Sequence, residues 1–421
     1  MPEGQFAALR EATSHLLNFP RAGKLCPSPI RAVSSLPPID SGPLQTDQAS
    51  EPPVSWIHAS TFRGHQAAVH HLAFSPDGSR LATSSADTTA RLWNLARKRE
   101  SILLEGHSKA VYSLAFTPDG TRIATASDDG TARLWEVRSG QCLFSLHGHG
   151  GPVNCIACSP DGATLATASD DGSALLWSVK TGQCLAQLAG HQDSVRYLAF
   201  SRDGTRLATA SGDGSARLWN VKDGHGVFLL AGHQRPVNCL AFSRLGTILA
   251  TASGDGSAKV WDLRTGECRV TIEGGNGPIH HLAFSPGGQS LALACANGAI
   301  RIWDERSAAE PGSQPVLSGH FEAAVSVAWS RESTLLASAS LDGTARVWSG
   351  KRRRLVTVLE GHDGPVHHLT FAPGSLCLAT ASEDHSVRFW RPPLPGEVSG
   401  SSYIDQLTDW FESYFEWFRR L

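Results

Sequence analysis

An all-β chain closed into an eight-bladed β-propeller is the fold the sequence predicts, and three features predict it. A Gly-His pair recurs, a tryptophan recurs on the same beat, and turn residues cut every interval into short apolar strands. Gly-His stands at Gly64-His65, Gly106-His107, Gly148-His149, Gly190-His191 and Gly232-His233, is degenerate at Gly274-Gly275, and returns at Gly319-His320 and Gly361-His362. The spacing is 42 residues except for one step of 45. Trp93, Trp135, Trp177, Trp219, Trp261, Trp303, Trp348 and Trp390 keep the same period. A repeat of roughly 40–45 residues is the length of one four-stranded blade.

One unit, residues 107–146, shows why the segments form. Val111–Phe116 is a first strand, followed by a Thr-Pro-Asp-Gly turn in which proline pre-sets φ and glycine takes the strained position. Arg122–Ser127 is a second strand, with small Ala and Thr where a neighbouring sheet must come close. Asp129-Gly130 turns the chain into a third strand over 131–137. Ser139-Gly140 turns it again into a fourth, Cys142–Leu146. This is an antiparallel meander. One such sheet cannot bury both faces, so the copies must stack around an axis.

The order of turns puts Gly-His and Asp-Gly at the same end of each blade, the top. His107, Asp129 and Trp135 meet there with Thr125 or Ser127, and a buried imidazole needs partners on both nitrogens. The pattern resembles the WD-repeat family over about residues 54–391, although literal Trp-Asp survives only at Trp261-Asp262 and Trp303-Asp304. The resemblance implies a hydrogen-bonded tetrad of these side chains in each blade. It also implies a protein-binding platform that works mainly through the top face and the channel mouth. Ser or Thr with His and Asp also suggests a hydrolase. A catalytic set occurs once, however, and this one recurs in seven units.

Eight units need eight fourth strands, and after Trp390 comes Arg391-Pro392-Pro393-Leu394-Pro395, which cannot pair because proline lacks the donor. Residues 54–63, VSWIHASTFR, are expected to supply the missing strand, with Phe62 in the slot held elsewhere by Leu104, Leu146, Leu188, Leu230, Ile272, Leu317 and Leu359. The expected organisation is a leader and Pro/Ser-rich linker over 1–53, the propeller over 54–391, a linker over 392–400, and an amphipathic helix over 401–421. Ser402 and Asp405 form a capping box for that helix. Trp410, Phe411, Phe415 and Phe418 belong to its aromatic face, a candidate binding surface.

The 421 residues carry a net charge of −2, with 41% hydrophobic and 18% charged residues, so the whole chain is no electrostatic magnet for polyanions. No apolar run reaches the ~18 residues of a membrane span. The opening MPEGQFAALREATSHLL has no basic start or continuous apolar run, so no secretory signal is expected. The nine cysteines are an odd number, and Cys142, Cys184 and Cys268 share one repeat position, which suits reduced thiols and an intracellular setting, cytoplasmic or nuclear. Cys155 and Cys158, the one CxxC, lie in a strand with their side chains on opposite faces. No GxxxxGK[ST] or HExxH motif is present, and neither cofactor nor resident metal is expected.

The expected function is a non-enzymatic scaffold or adaptor that binds other proteins. Its top-face candidates are Lys109, Asp128, Asp170, Asp193, Arg235, Phe321, Glu322, Leu341, Asp363 and Glu383, of which Phe321 is the one aromatic in those turns. An alternative is association with nucleic acid or chromatin through a basic rim on blades 7, 8 and 1, where Arg97-Lys98-Arg99 and Lys351-Arg352-Arg353-Arg354 lie. Paired histidines at His70-His71, His280-His281 and His367-His368 are read as channel-wall residues, with a metal site as the rival reading. Blade 6 is expected to be the weakest, since Gly275, Asn297, Leu293 and Cys295 replace its tetrad partners.

Overall fold

The computed structural model describes residues 56–97, 101–305 and 315–393. The described chain is built from eight four-stranded antiparallel sheets. Their first strands are Val69–Phe74, Val111–Phe116, Val153–Cys158, Val195–Phe200, Val237–Phe242, Ile279–Phe284, Ala324–Trp329 and Val366–Phe371, which define blades 1 to 8. Each first strand contacts those of the two neighbouring blades, and blade 8 contacts blade 1, so the ring is closed around a channel.

In blade 2 the third strand is Ala132–Glu136, one residue shorter at each end than the pattern suggests. The Thr131 amide and hydroxyl are both turned onto the Asp129 carboxylate, and the Val137 amide bonds the Thr121 carbonyl. These residues belong to the turns because their donors are used there.

The closing strand comes from the start of the described chain. Ile57–Arg63 pairs antiparallel with Ser386–Arg391 as the outermost strand of blade 8, with Phe62 opposite Val387. Phe62 packs with Val387 and Phe389 of blade 8 and with Val69, Leu72, Leu81 and Trp93 of blade 1. Its ring lies 5.4 Å from that of Trp93.

The core sits between blades. Ala82, Ala90, Leu92 and Leu104 of blade 1, for instance, pack against Leu114, Ile123 and Trp135 of blade 2. Fully buried alanines such as Ala82, Ala124, Ala166 and Ala208 let neighbouring sheets approach. Glycine serves the same end at Gly182, where a Cβ would lie 2.6 Å from the Phe144 ring of the preceding blade. Cys155 and Cys158 join different inter-blade clusters and stand on opposite sides of their sheet. Among the described residues no helix is long and apolar enough to cross a membrane.

Candidate functional site

Seven blades carry the tetrad. In blade 2 the indole N–H of Trp135 donates to Thr125 Oγ1 at 2.9 Å, and that hydroxyl lies 2.8 Å from His107 Nε2. His107 Nδ1 lies 2.9 Å from Asp129 Oδ2. Because Thr125 already accepts from the indole, its own proton goes to Nε2, which leaves the imidazole proton on Nδ1, donated to the carboxylate. Geometry thus selects Thr125, while Ser127 bonds the Lys109 carbonyl and the Asp129 amide.

The remaining lone pairs of Asp129 take the Thr131 hydroxyl and the Ser108 and Thr131 amides. Burial pushes the Asp129 pKa up, but these bonds, with that from His107, outweigh it and hold it at about 2. Burial lowers the pKa of His107 against the pull of Asp129. The same bonds recur at His65, His149, His191, His233, His320 and His362. Every polar atom of the set is used for structure, and the hydroxyl faces a tryptophan rather than a cleft.

Blade 6 departs from this. The indole nitrogen of Trp303 is buried without a hydrogen-bond partner, because Leu293 stands where a hydroxyl would be. Its outermost strand is reduced to Val316–Leu317.

The top loops hold the exposed chemistry. Lys109 Nζ lies 3.6 Å from Asp128 Oδ2. Asp170 accepts from the Asn154 side chain at 2.8 Å, and the Asp193 carboxylate accepts from the Ser194 amide. Asp128 and Asp170 both act on Tyr112, whose phenol burial and these charges push up to about 12. Burial lowers the pKa of Arg196, against Asp193 and Asp170. The three aspartates therefore share one arc over blades 2 to 4. Glu383 bonds His367 Nε2 at 2.7 Å. Arg235, Phe321, Glu322 and Asp363 are exposed on blades 5, 7 and 8, Phe321 at 89%, while Leu341 is half-buried. Trp410, Phe411, Phe415 and Phe418 lie outside the described residues.

Sequence reasoning understated the channel mouth. The second residue of each first strand lines it: His70, Tyr112, Asn154, Arg196, Asn238, His280, Val325 and His367. A bulge follows the opening Val, Ile or Ala in every blade, for example between Val69 and His71, so simple alternation does not place this residue. The available signal was variability, since this is the slot where an otherwise regular repeat changes chemistry from blade to blade.

The paired histidines do meet, His70 with His367 at 6.1 Å between ring centroids and His71 with His368 at 4.2 Å. Among the described residues no three His, Cys, Asp or Glu side chains are grouped to hold an ion. In the basic run, Arg353 is turned inward. Its guanidinium bonds both Asp304 oxygens at 3.0 Å and lies over the Trp329 ring. Lys98 and Arg99 lie outside the described residues.

Comparison with known proteins agrees with this geometry. Residues 161–391, more than half of the chain, match the family model described as the IFT122 first beta-propeller. Residues 56–94, 98–136 and 140–178 match the WD domain, G-beta repeat. Among individual proteins, Protein HIR1 of Mycosarcoma maydis is 37% identical over 75 residues, 18% of this chain and 7% of its own length. The HIR1 protein of Cryptococcus neoformans is 39% identical over 74 residues, 18% and 8%. That of Emericella nidulans is 34% identical over 93 residues, 22% and 9%. The matched stretch is less than a tenth of each relative. With its period, its seven tetrads and its closed ring of eight blades, the chain belongs to the WD-repeat β-propeller family.

Proposed function

We propose that this propeller is a non-enzymatic scaffold that binds partner proteins through its top face, in an intracellular setting, with the aromatic stretch over 401–421 as a second contact. The observation that carries this reading is the division of labour among polar groups. The residues that resemble a hydrolase set are consumed seven times over in buried tetrads. The exposed side chains of the top loops and the channel mouth, by contrast, differ from blade to blade. Phe321 supports the reading, since a large aromatic side chain left almost wholly in water is a common anchor at protein interfaces.

The test is affinity purification with the full chain, a top-face variant combining Asp170→Lys with Phe321→Ala, and a chain ending at Pro395. Partners present with the full chain and lost with the top-face variant, at unchanged melting temperature, are the expected result. If the variant keeps every partner, the top face is not the binding surface. Loss only on truncation assigns binding to the tail alone.

A further inference from the structure

The channel mouth is built in two unlike halves. On blades 3 to 5 its side chains are stitched across blade boundaries: Asn154 donates to the Val195 carbonyl, Arg196 to the Asn238 side chain, and Asn238 to the Ile279 carbonyl. On blades 8, 1 and 2 the same positions hold three rings in series. His70 lies 6.1 Å from His367 on one side and 5.4 Å from Tyr112 on the other, tilted by 50° and 53°. Glu383 closes the His367 end of the row, and Asp128 and Asp170 lie at the Tyr112 end.

We propose that this half of the mouth is a pocket for a cationic side chain, an arginine or lysine within a basic segment of a partner protein. The proposal rests on the scaffold reading and names the partner's chemistry. A cation is attracted by the face of an aromatic ring and by flanking carboxylates. The pocket also holds a polar group lacking a mate: His70 is only 8% exposed, and its Nδ1 has no hydrogen-bond partner. Its imidazole does not compete as a cation, since burial and then His367 bring its pKa to about 4.

Beneath this layer a second set of rings makes contact across blades. His71 and His368 are in ring contact, and the Tyr197 ring reaches His281 at 6.4 Å although their strands stand two blades apart. The chain already shows the preference on itself, for Lys109 reaches Asp128 with 60% of its side chain exposed, so at Asp128 an incoming cation displaces a solvated one. Asp170 and Asp193 continue the acidic row over blades 3 and 4, where Arg196 lies within range of both. This favours a segment carrying several basic residues over a small free cation.

The experiment uses the full chain and short fluorescent synthetic peptides, identical except for a central Arg, Lys, Gln or Glu, with binding read by fluorescence polarisation. Peptides centred on Arg or Lys are expected to bind about tenfold tighter than the Gln peptide, and the Glu peptide more weakly still. Combining Tyr112→Ala with Glu383→Gln is expected to abolish that preference. Tyr112→Phe should keep it, and so should Arg352→Glu on the opposite face. Equal binding of all four peptides overturns the proposal, as does a preference that survives the double variant. If the peptides fail while the top-face variant above still loses a partner, only the cation pocket falls. If neither the peptides nor any partner responds to top-face changes, the scaffold reading falls with it.

Discussion

The indole nitrogens of Trp135 and Trp303 stand at the same repeat position with opposite fates, one donating to Thr125 and the other buried without an acceptor. Trp135→Phe therefore loses ring volume and a hydrogen bond, whereas Trp303→Phe loses volume alone. Denaturant titration is expected to show the first costing about 1 kcal/mol more than the second, and equal losses would contradict the network. Thr88 is held at φ +73° in the turn where Gly130 and Gly172 stand in blades 2 and 3. A left-handed conformation strains a β-branched residue by roughly 1–2 kcal/mol, so Thr88→Gly should raise stability by about 1 kcal/mol. No gain would mean that the Thr88 side chain makes contacts worth as much as the strain.

Burial also sets an acid limit. It lowers the pKa of His70, His71, His280 and His281 to about 4 and pushes His368 well down. An unfolded histidine titrates near 6.5, so unfolding takes up protons below that pH. The stability these residues contribute is complete above pH ~6.5 and is lost as the pH falls toward 4. The tetrad aspartates, held low, give up theirs only below pH ~4. Urea midpoints followed by circular dichroism are expected to fall through this window, and a profile flat down to pH 4 would refute the assignment.

Blade 6 illustrates how an element survives without its polar network. Leu291, Leu293 and Cys295 keep an apolar interface with blade 5, and Trp303 packs there as a hydrocarbon. At the bottom the Arg353 guanidinium ties blade 7 to Asp304 and Ser290 of blade 6, so the inward arginine replaces part of what the top lacks. Hydrogen exchange should find Ile300–Asp304 opening at a free energy lower by on the order of 1 kcal/mol than Ala132–Glu136. Arg353→Ala should widen that gap. Uniform protection around the ring would show that the tetrad contributes little to local stability. The missing polar network of this blade was legible from Gly275 and Leu293. Its compensation was not, because Arg353 reads as one cation in a solvated basic run until the turn at φ +53° directs it inward.

At the scale of the whole molecule, closure depends on one strand from the other end of the chain. Without Ile57–Arg63 the edge of Ser386–Arg391 is unpaired and the apolar cluster around Phe62 opens to water. Exposed sheet edges favour aggregation. A chain beginning at Gly64 is expected to aggregate or unfold where one beginning at residue 51 melts normally. Phe62→Ala alone should cost about 3 kcal/mol. A shortened chain that melts like the full one would show that the ring does not need this latch.

Blade number, strand order within a blade, the His, Asp and Trp of each tetrad and the closing strand were determined by the sequence alone, whereas the choice of Thr125 over Ser127 came from the geometry. Each depends on residues that lie within one period or face a single sheet partner. His107, Thr125, Asp129 and Trp135 fall inside 29 positions and meet because one meander folds on itself. The proline run after Arg391 left only one source for the last strand. Tertiary structure alone decided which side chains meet across blades. His70 and His367 are neighbours only because the ring closes, and the bulge after Val69 and Val366 turns both toward the channel. Periodicity describes a blade, and contacts made by closing eight of them around an axis have no local signature in the chain.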